Sequence, residues 1–140
     1  LREGDATRLA FADGSFDVVC EFGALHHIQD DARAVSEMMR CARFGVFLSD
    51  DNNFGQGSAV ARAVKQAAHW AGLWPAVDFV KTRGRGYTVS ADDGVAYSYS
   101  VFDSVRLLRR TMPHVHFLNT GDGGPNLYRT AQHMAVFAHR

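Results

Sequence analysis

The stretch FADGSFDVVCEFGALHHIQD, Phe11 to Asp30, sets the architecture of the chain. Asp13-Gly14-Ser15 is turn chemistry, and Phe16 to Phe22 behind it reads as a strand. Phe16, Val18, Cys20 and Phe22 fall on one face and Val19 on the other, so apolar residues occupy both. That pattern suits a parallel strand covered on two sides better than a half-exposed antiparallel one. Downstream, Asp30 or Asp31 is placed to cap a helix whose apolar positions are Val35, Met38, Met39 and Ala42. Gly45 is its expected stop, and VFLSD, Val46 to Asp50, a second short buried strand. A strand, a helix and a strand in such a short span form a βαβ unit, which requires a right-handed crossover and an α/β sheet.

The pattern continues to the end of the chain. Ser58 is expected to cap a helix with Val60, Val64, Ala67, Ala68 and Ala71 on its buried face and Gly72 as its stop. Leu73 to Lys81 has no clear period. GYTVSADDGVAYSYS predicts a hairpin around an Asp-Gly turn, with Tyr87 and Val89 facing Val95, Tyr97 and Tyr99. Ser100 and Asp103 form a capping box for a helix carrying Val101, Val105, Leu108 and Met112. VHFL and HMAVFAH predict two closing strands, joined by the loop NTGDGGPNLYRTAQ.

Composition narrows the function classes. With 140 residues, 46% apolar and 21% charged, the chain is long enough for one domain with a core. Its net charge of zero gives no strong argument for a nucleic-acid or membrane partner, although the basic half, residues 61–140, leaves an RNA or anionic partner open. Two cysteines, Cys20 and Cys41, make no disulfide framework, so a cytoplasmic setting is expected. No apolar run approaches the roughly 18–20 residues that span a bilayer, and no signal-peptide pattern is present. Because the chain begins with Leu1, a preceding segment is expected.

Four motifs in order carry a family resemblance. They are GDATRLAFADGSFDVV, then LHHI at the end of the first strand, then EMMRCARFGVFLSD, then the closing strands. Together they resemble the second half of the catalytic domain of class I S-adenosylmethionine-dependent methyltransferases, well over residues 4–50 and loosely over 100–140. The resemblance implies a Rossmann-like mixed sheet with an antiparallel final strand, truncated at its N-terminus. Residues 1–56 would hold the second half of the cofactor site, 57–100 a helix and hairpin over the acceptor, and 101–140 the closing helix and strands. The family's glycine-rich loop and the acidic end of its second strand have no counterpart here. GDGG, Gly121 to Gly124, is not a substitute for them, since a lone glycine cluster is a weak signal. The strand Phe16 to Phe22 would then be left at an edge, expected to be covered by a missing N-terminal segment or by another copy of the chain.

The resemblance also assigns residues. S-adenosylmethionine is the implied cofactor. Asp5 would accept from the adenine amino group and the Ala6 N–H would reach a ring nitrogen; otherwise Asp5 simply makes a turn. Glu21, Phe22 and Gly23 would wall the cofactor, because a charge like that of Glu21 at a strand end is not left buried and unpaired. His26 and His27 would lie beyond the carboxyl end of a strand, where open α/β sheets bind ligands, and either could serve as a base. The plainer alternative is that His27 is buried and ties the loop by a backbone hydrogen bond. No metal is expected: on an extended segment, adjacent histidines point opposite ways and cannot share an ion. Asp50, Asn52 and Asn53 are candidate contacts for a small-molecule acceptor, or else an Asx-rich loop serving its own backbone. Rival readings are a non-catalytic assembly module, or RNA binding through Lys81, Arg83, Arg85 and the hairpin tyrosines.

Overall fold

The computed structural model describes residues 2–120 and 127–140. Strand β1 (Phe16–Phe22) leads through a 3₁₀ turn (Leu25–His27) into helix α1 (Asp31–Cys41) and strand β2 (Ala42–Asp51). Helices α2 (Ala59–Trp70) and α3 (Trp74–Lys81), strands β3 (Tyr87–Ser90) and β4 (Gly94–Tyr97), and helix α4 (Val101–Leu108) follow. Strand β5 (His114–Asn119), a short helix α5 (Leu127–Thr130) and strand β6 (His133–His139) close the chain.

The main sheet has the order β1-β2-β6-β5, and β3-β4 form a separate hairpin. β1 and β2 are parallel, as the crossover through α1 requires, while β6 runs antiparallel to both β2 and β5. This is the expected mixed α/β sheet. Alternation on β2 turns Val46 and Leu48 inward, where β6 adds Met134, Val136 and Ala138. Helices α1 and α4 cover that face with Val35, Met38, Val101 and Leu108. The caps are those the sequence offers. Asp30 accepts from the Arg33 N–H, Ser58 from the Ala61 N–H, and Ser100 and Asp103 form a complete capping box.

Several expectations fail for physical reasons. Gly45 does not end α1; the helix passes into β2 three residues earlier. A Cβ at Gly45 would lie 2.7 Å from the Ala138 carbonyl oxygen, so the glycine serves strand packing. The supposedly buried face of α2 is exposed, Val60 at 74% and Val64 at 62%. The helix instead docks through Gln66, which is buried, and Lys65, whose Nζ donates to the Asn53 and Gln56 carbonyls. Leu73 to Lys81 is largely helix, begun by a proline in its first turn, where the missing N–H costs nothing. The loop before β6 contains α5; GDGG lies outside the described residues.

β1 stands at the sheet edge, and Phe16, Val18 and Phe22 are 41, 39 and 72% exposed. The apolar faces read from the sequence are present, but nothing among the described residues covers them.

Candidate functional site

The site is built where β1 and β2 end side by side. Gly23, at φ +65°, turns the chain off β1, a left-handed conformation that favours glycine. The Glu21 carboxylate then accepts from the Ala24 N–H at 2.6 Å, and its Oε1 also receives the Leu25 N–H at 3.4 Å. From the neighbouring strand, Asp50 Oδ2 accepts from the Leu25 N–H at 2.8 Å and the His26 N–H at 3.3 Å. Two carboxylates thus pin one turn between two parallel strand ends. Burial pushes the Glu21 carboxyl up to about 7; its backbone contact to Ala24 opposes this, and the charge of Asp50 and a side-chain hydrogen bond with it add to the rise. Glu21 Oε2 is buried and has no hydrogen-bond partner.

On one side of this turn lies an apolar slot of about 320 Å³, lined by Ala6, Leu9, Val19, Phe22, Ile28 and Met38, with Glu21 at its wall. The loop that supplies Ala6 and Leu9 is held to α1 by charge. Glu37 Oε2 accepts from the Leu9 N–H, and Arg40 donates to the Leu9 and Phe11 carbonyls and to Asp13. Arg40 bonds Glu37 as well and holds that carboxyl down at about 2.

On the other side is a polar cleft of about 220 Å³, roofed by the β3–β4 hairpin. His26, Asp51, Asn53 and Gln56 face Thr88, Asp93 and Tyr97 across it. His26 is buried, and its Nδ1 lies 2.5 Å from Asp50 Oδ1. Burial pulls the His26 imidazole down, but the Asp50 hydrogen bond and the Asp50, Asp51 and Asp93 charges outweigh it and leave the pKa raised. His27 Nδ1 bonds the Val95 carbonyl at 2.7 Å, so His27 ties the hairpin, but from an exposed position; the buried histidine is His26. The two rings lie 4.0 Å apart, and both Nε2 atoms approach Asp93, at 3.5 Å from His26 and 3.4 Å from His27. The adjacent histidines do not diverge, because Leu25–His27 is a 3₁₀ turn and not extended chain.

The other candidates separate. Ala6, Glu21 and Phe22 meet in the slot. Asp5 does not; its Oδ1 is taken by the Thr7 N–H and hydroxyl, which hold its carboxyl below the usual range, and it lies on an exposed turn beside the slot. Gly23 shapes the turn and has open space before it. Asp50 and Asn52 are fully buried and do not line the cleft. Asp50 positions the His26 turn, while Asn52 donates to the Tyr128 and Ala131 carbonyls and accepts from Ser100. Asn53 reaches the polar cleft, bonded to Ser98. Asp51, Gln56 and Asp93 belong to the site too. Asp93 was visible in the sequence only as turn chemistry, since hairpin docking alone brings it to the histidines.

Residues 1–49 match the family model described as a methyltransferase domain. No curated protein matches the chain. Among solved structures, the chain superposes with a TM-score of 0.54 on an S-adenosylmethionine-dependent methyltransferase from Methanosarcina mazei, at 16% identity, covering 98% of this chain and 65% of that one. A possible histamine N-methyltransferase from Thermotoga maritima gives a TM-score of 0.54 at 14% identity, covering 97% and 61%. A methyltransferase from Mesorhizobium loti gives 0.54 at 15%, covering 98% and 68%. The chain therefore spans less than two thirds of the first two of these proteins. It shares the Rossmann-like fold of these methyltransferases, and its match to the methyltransferase-domain model is confined to residues 1–49.

Proposed function

We propose that this chain is the part of an S-adenosylmethionine-dependent methyltransferase that holds the adenosine side of the cofactor and a small polar acceptor. One observation carries the reading: an apolar slot and a polar cleft lie on opposite sides of a single pinned turn, at the carboxyl ends of two parallel strands. Open α/β sheets bind ligands at those ends.

The slot fits the cofactor on its own terms. Its walls are apolar enough for a purine ring, and Glu21 presents a buried carboxyl oxygen, Oε2, at its wall. Ala6, Leu9 and Ile28 would enclose the ring, Asp5 stands beside the slot for an exocyclic amine, and Phe22 and Gly23 border the strand end. The cofactor, when bound, supplies a methyl group on a sulfonium. This chain's contribution is alignment, which alone accounts for a large part of such a rate gain. The polar cleft receives the acceptor, with Asn53 to orient it and His26 to face it, the imidazole fixed from behind by Asp50.

We further propose that another segment of the same protein covers β1 and supplies the glycine-rich loop. The bare edge supports this, as does a row of rings on the sheet face away from α1 and α4. Phe22 lies 5.5 Å from Phe47, and Phe44 lies 6.3 Å from Phe137. Apolar faces of this kind are ordinarily covered.

Adenosine tests the slot without the sulfonium. In a methyl-labelled sample, millimolar adenosine should shift the methyl resonances of Ala6, Leu9, Ile28 and Met38 and leave those of Val60 and Val64 in place. No shift at the slot under saturating adenosine would remove this reading.

A further inference from the structure

We propose that His26, His27 and Asp93 bind one divalent transition-metal ion of the zinc class at the edge of the polar cleft. Among the described residues they are the group of three such side chains whose ligand atoms converge, all within 4.8 Å of one another. Two imidazoles and one carboxylate are a ligand set that holds zinc and leaves a fourth position open. Zinc bonds of roughly 2.0–2.1 Å in a tetrahedron place ligand atoms about 3.4 Å apart. The His26 and His27 Nε2 atoms lie 3.5 and 3.4 Å from Asp93 oxygens.

The outer contacts point the same way. His27 Nδ1 faces the Val95 carbonyl, which only accepts, so that nitrogen carries the proton and Nε2 presents a lone pair. His26 Nδ1 faces Asp50 and is fixed likewise. A carboxylate or carbonyl behind each ring is the usual setting of metal-ligating histidines. Two lone pairs then point at an acceptor-only carboxylate, an arrangement that calls for positive charge between them. Two extra protons would meet that need, and so would one metal ion.

The ion would also join the hairpin, which carries Asp93 and Val95, to the turn between β1 and α1. Its use rests on the methyl-transfer reading: an acceptor hydroxyl on the open position gives up its proton to solvent water more readily. Its binding does not rest on that reading.

Titration of Zn²⁺ into the cofactor-free chain, followed by calorimetry, tests the site, with Co²⁺ absorption reporting coordination. The background is His116→Ala, because the His116 and His139 Nε2 atoms lie 3.4 Å apart and form a second metal-capable pair. We expect one ion per chain and a four-coordinate Co²⁺ spectrum. His27→Ala should weaken binding by more than about 100-fold, and Asp50→Asn by about 10–100-fold through its loss as the fixed partner of His26. Asp93→Asn should also weaken it and change the Co²⁺ spectrum. His26→Ala leaves a buried carboxylate without its partner, so His27→Ala and Asp93→Asn, both at exposed positions, carry the test. No Zn²⁺ binding, or binding unchanged in those two variants, overturns the proposal. Adenosine binding to the same samples is read separately, so failure of the ion site and failure of the methyltransferase reading remain distinct.

Discussion

Glu21 brings a carboxylate to the end of β1 and leaves one oxygen, Oε2, without a donor. Its pKa of about 7, raised from 4.5 mainly by burial, has a definite consequence for stability. A folded-state pKa above the unfolded value favours the folded protein at low pH. That advantage is full below about pH 4.5 and is lost as pH rises through about 7. Glu21→Gln should therefore flatten the fall in melting temperature between pH 5 and pH 8; a fall as steep as the parent's would mean that the charge is solvated. The expectation that a charge here would face a cleft fits the position of Glu21 at the slot wall, and burial answers the rest by raising its pKa. Asp50 and Asn52 were legible in a way the site assignment missed. The alternation that buries Val46 and Leu48 continues through both, so they point inward. Polarity suggested a ligand site where periodicity already showed the core.

At the scale of elements, local chemistry placed β1, the caps of α1 and α2, the hairpin and the capping box at Ser100. Boundaries set by tertiary contact were not readable. Gly45 looks like a helix stop in isolation, and only its approach to the Ala138 carbonyl explains it. Gly45→Ala forces a Cβ to within 2.7 Å of that oxygen and should cost about 1–3 kcal/mol in denaturant unfolding, as overpacking does. An unchanged midpoint would show that β6 shifts freely. The Asp5–Asp13 loop depends on α1 through Arg40, whose guanidinium reaches two of the loop's carbonyls and Asp13. Arg40→Ala should speed hydrogen exchange at the Leu9 amide and weaken adenosine binding in the slot while leaving the sheet amides protected. Simultaneous loss of protection across β2 and β6 would instead make Arg40 a determinant of the whole fold.

Across the whole molecule, the core lies between one face of the sheet and helices α1 and α4. Leu48 is fully buried within it, and Leu48→Ala should destabilise the chain by about 2–5 kcal/mol, measured by urea unfolding. A cost below about 1 kcal/mol would show that the core collapses readily around the change. The docking of the hairpin over the strand ends could not be inferred from the sequence, because it depends on contacts between residues far apart in the chain. It is this docking that brings His26, His27 and Asp93 together. Among the described residues, nothing covers the other sheet face or the β1 edge, and both argue for a covering segment that completes the cofactor site. The most direct test of that account is calorimetric titration of S-adenosylhomocysteine into this chain and into the same chain extended upstream along its gene. The account predicts tight binding to the extended protein and weak binding to the 140 residues alone. Binding to neither would contradict it, and equal tight binding to both would show that the slot needs no further segment.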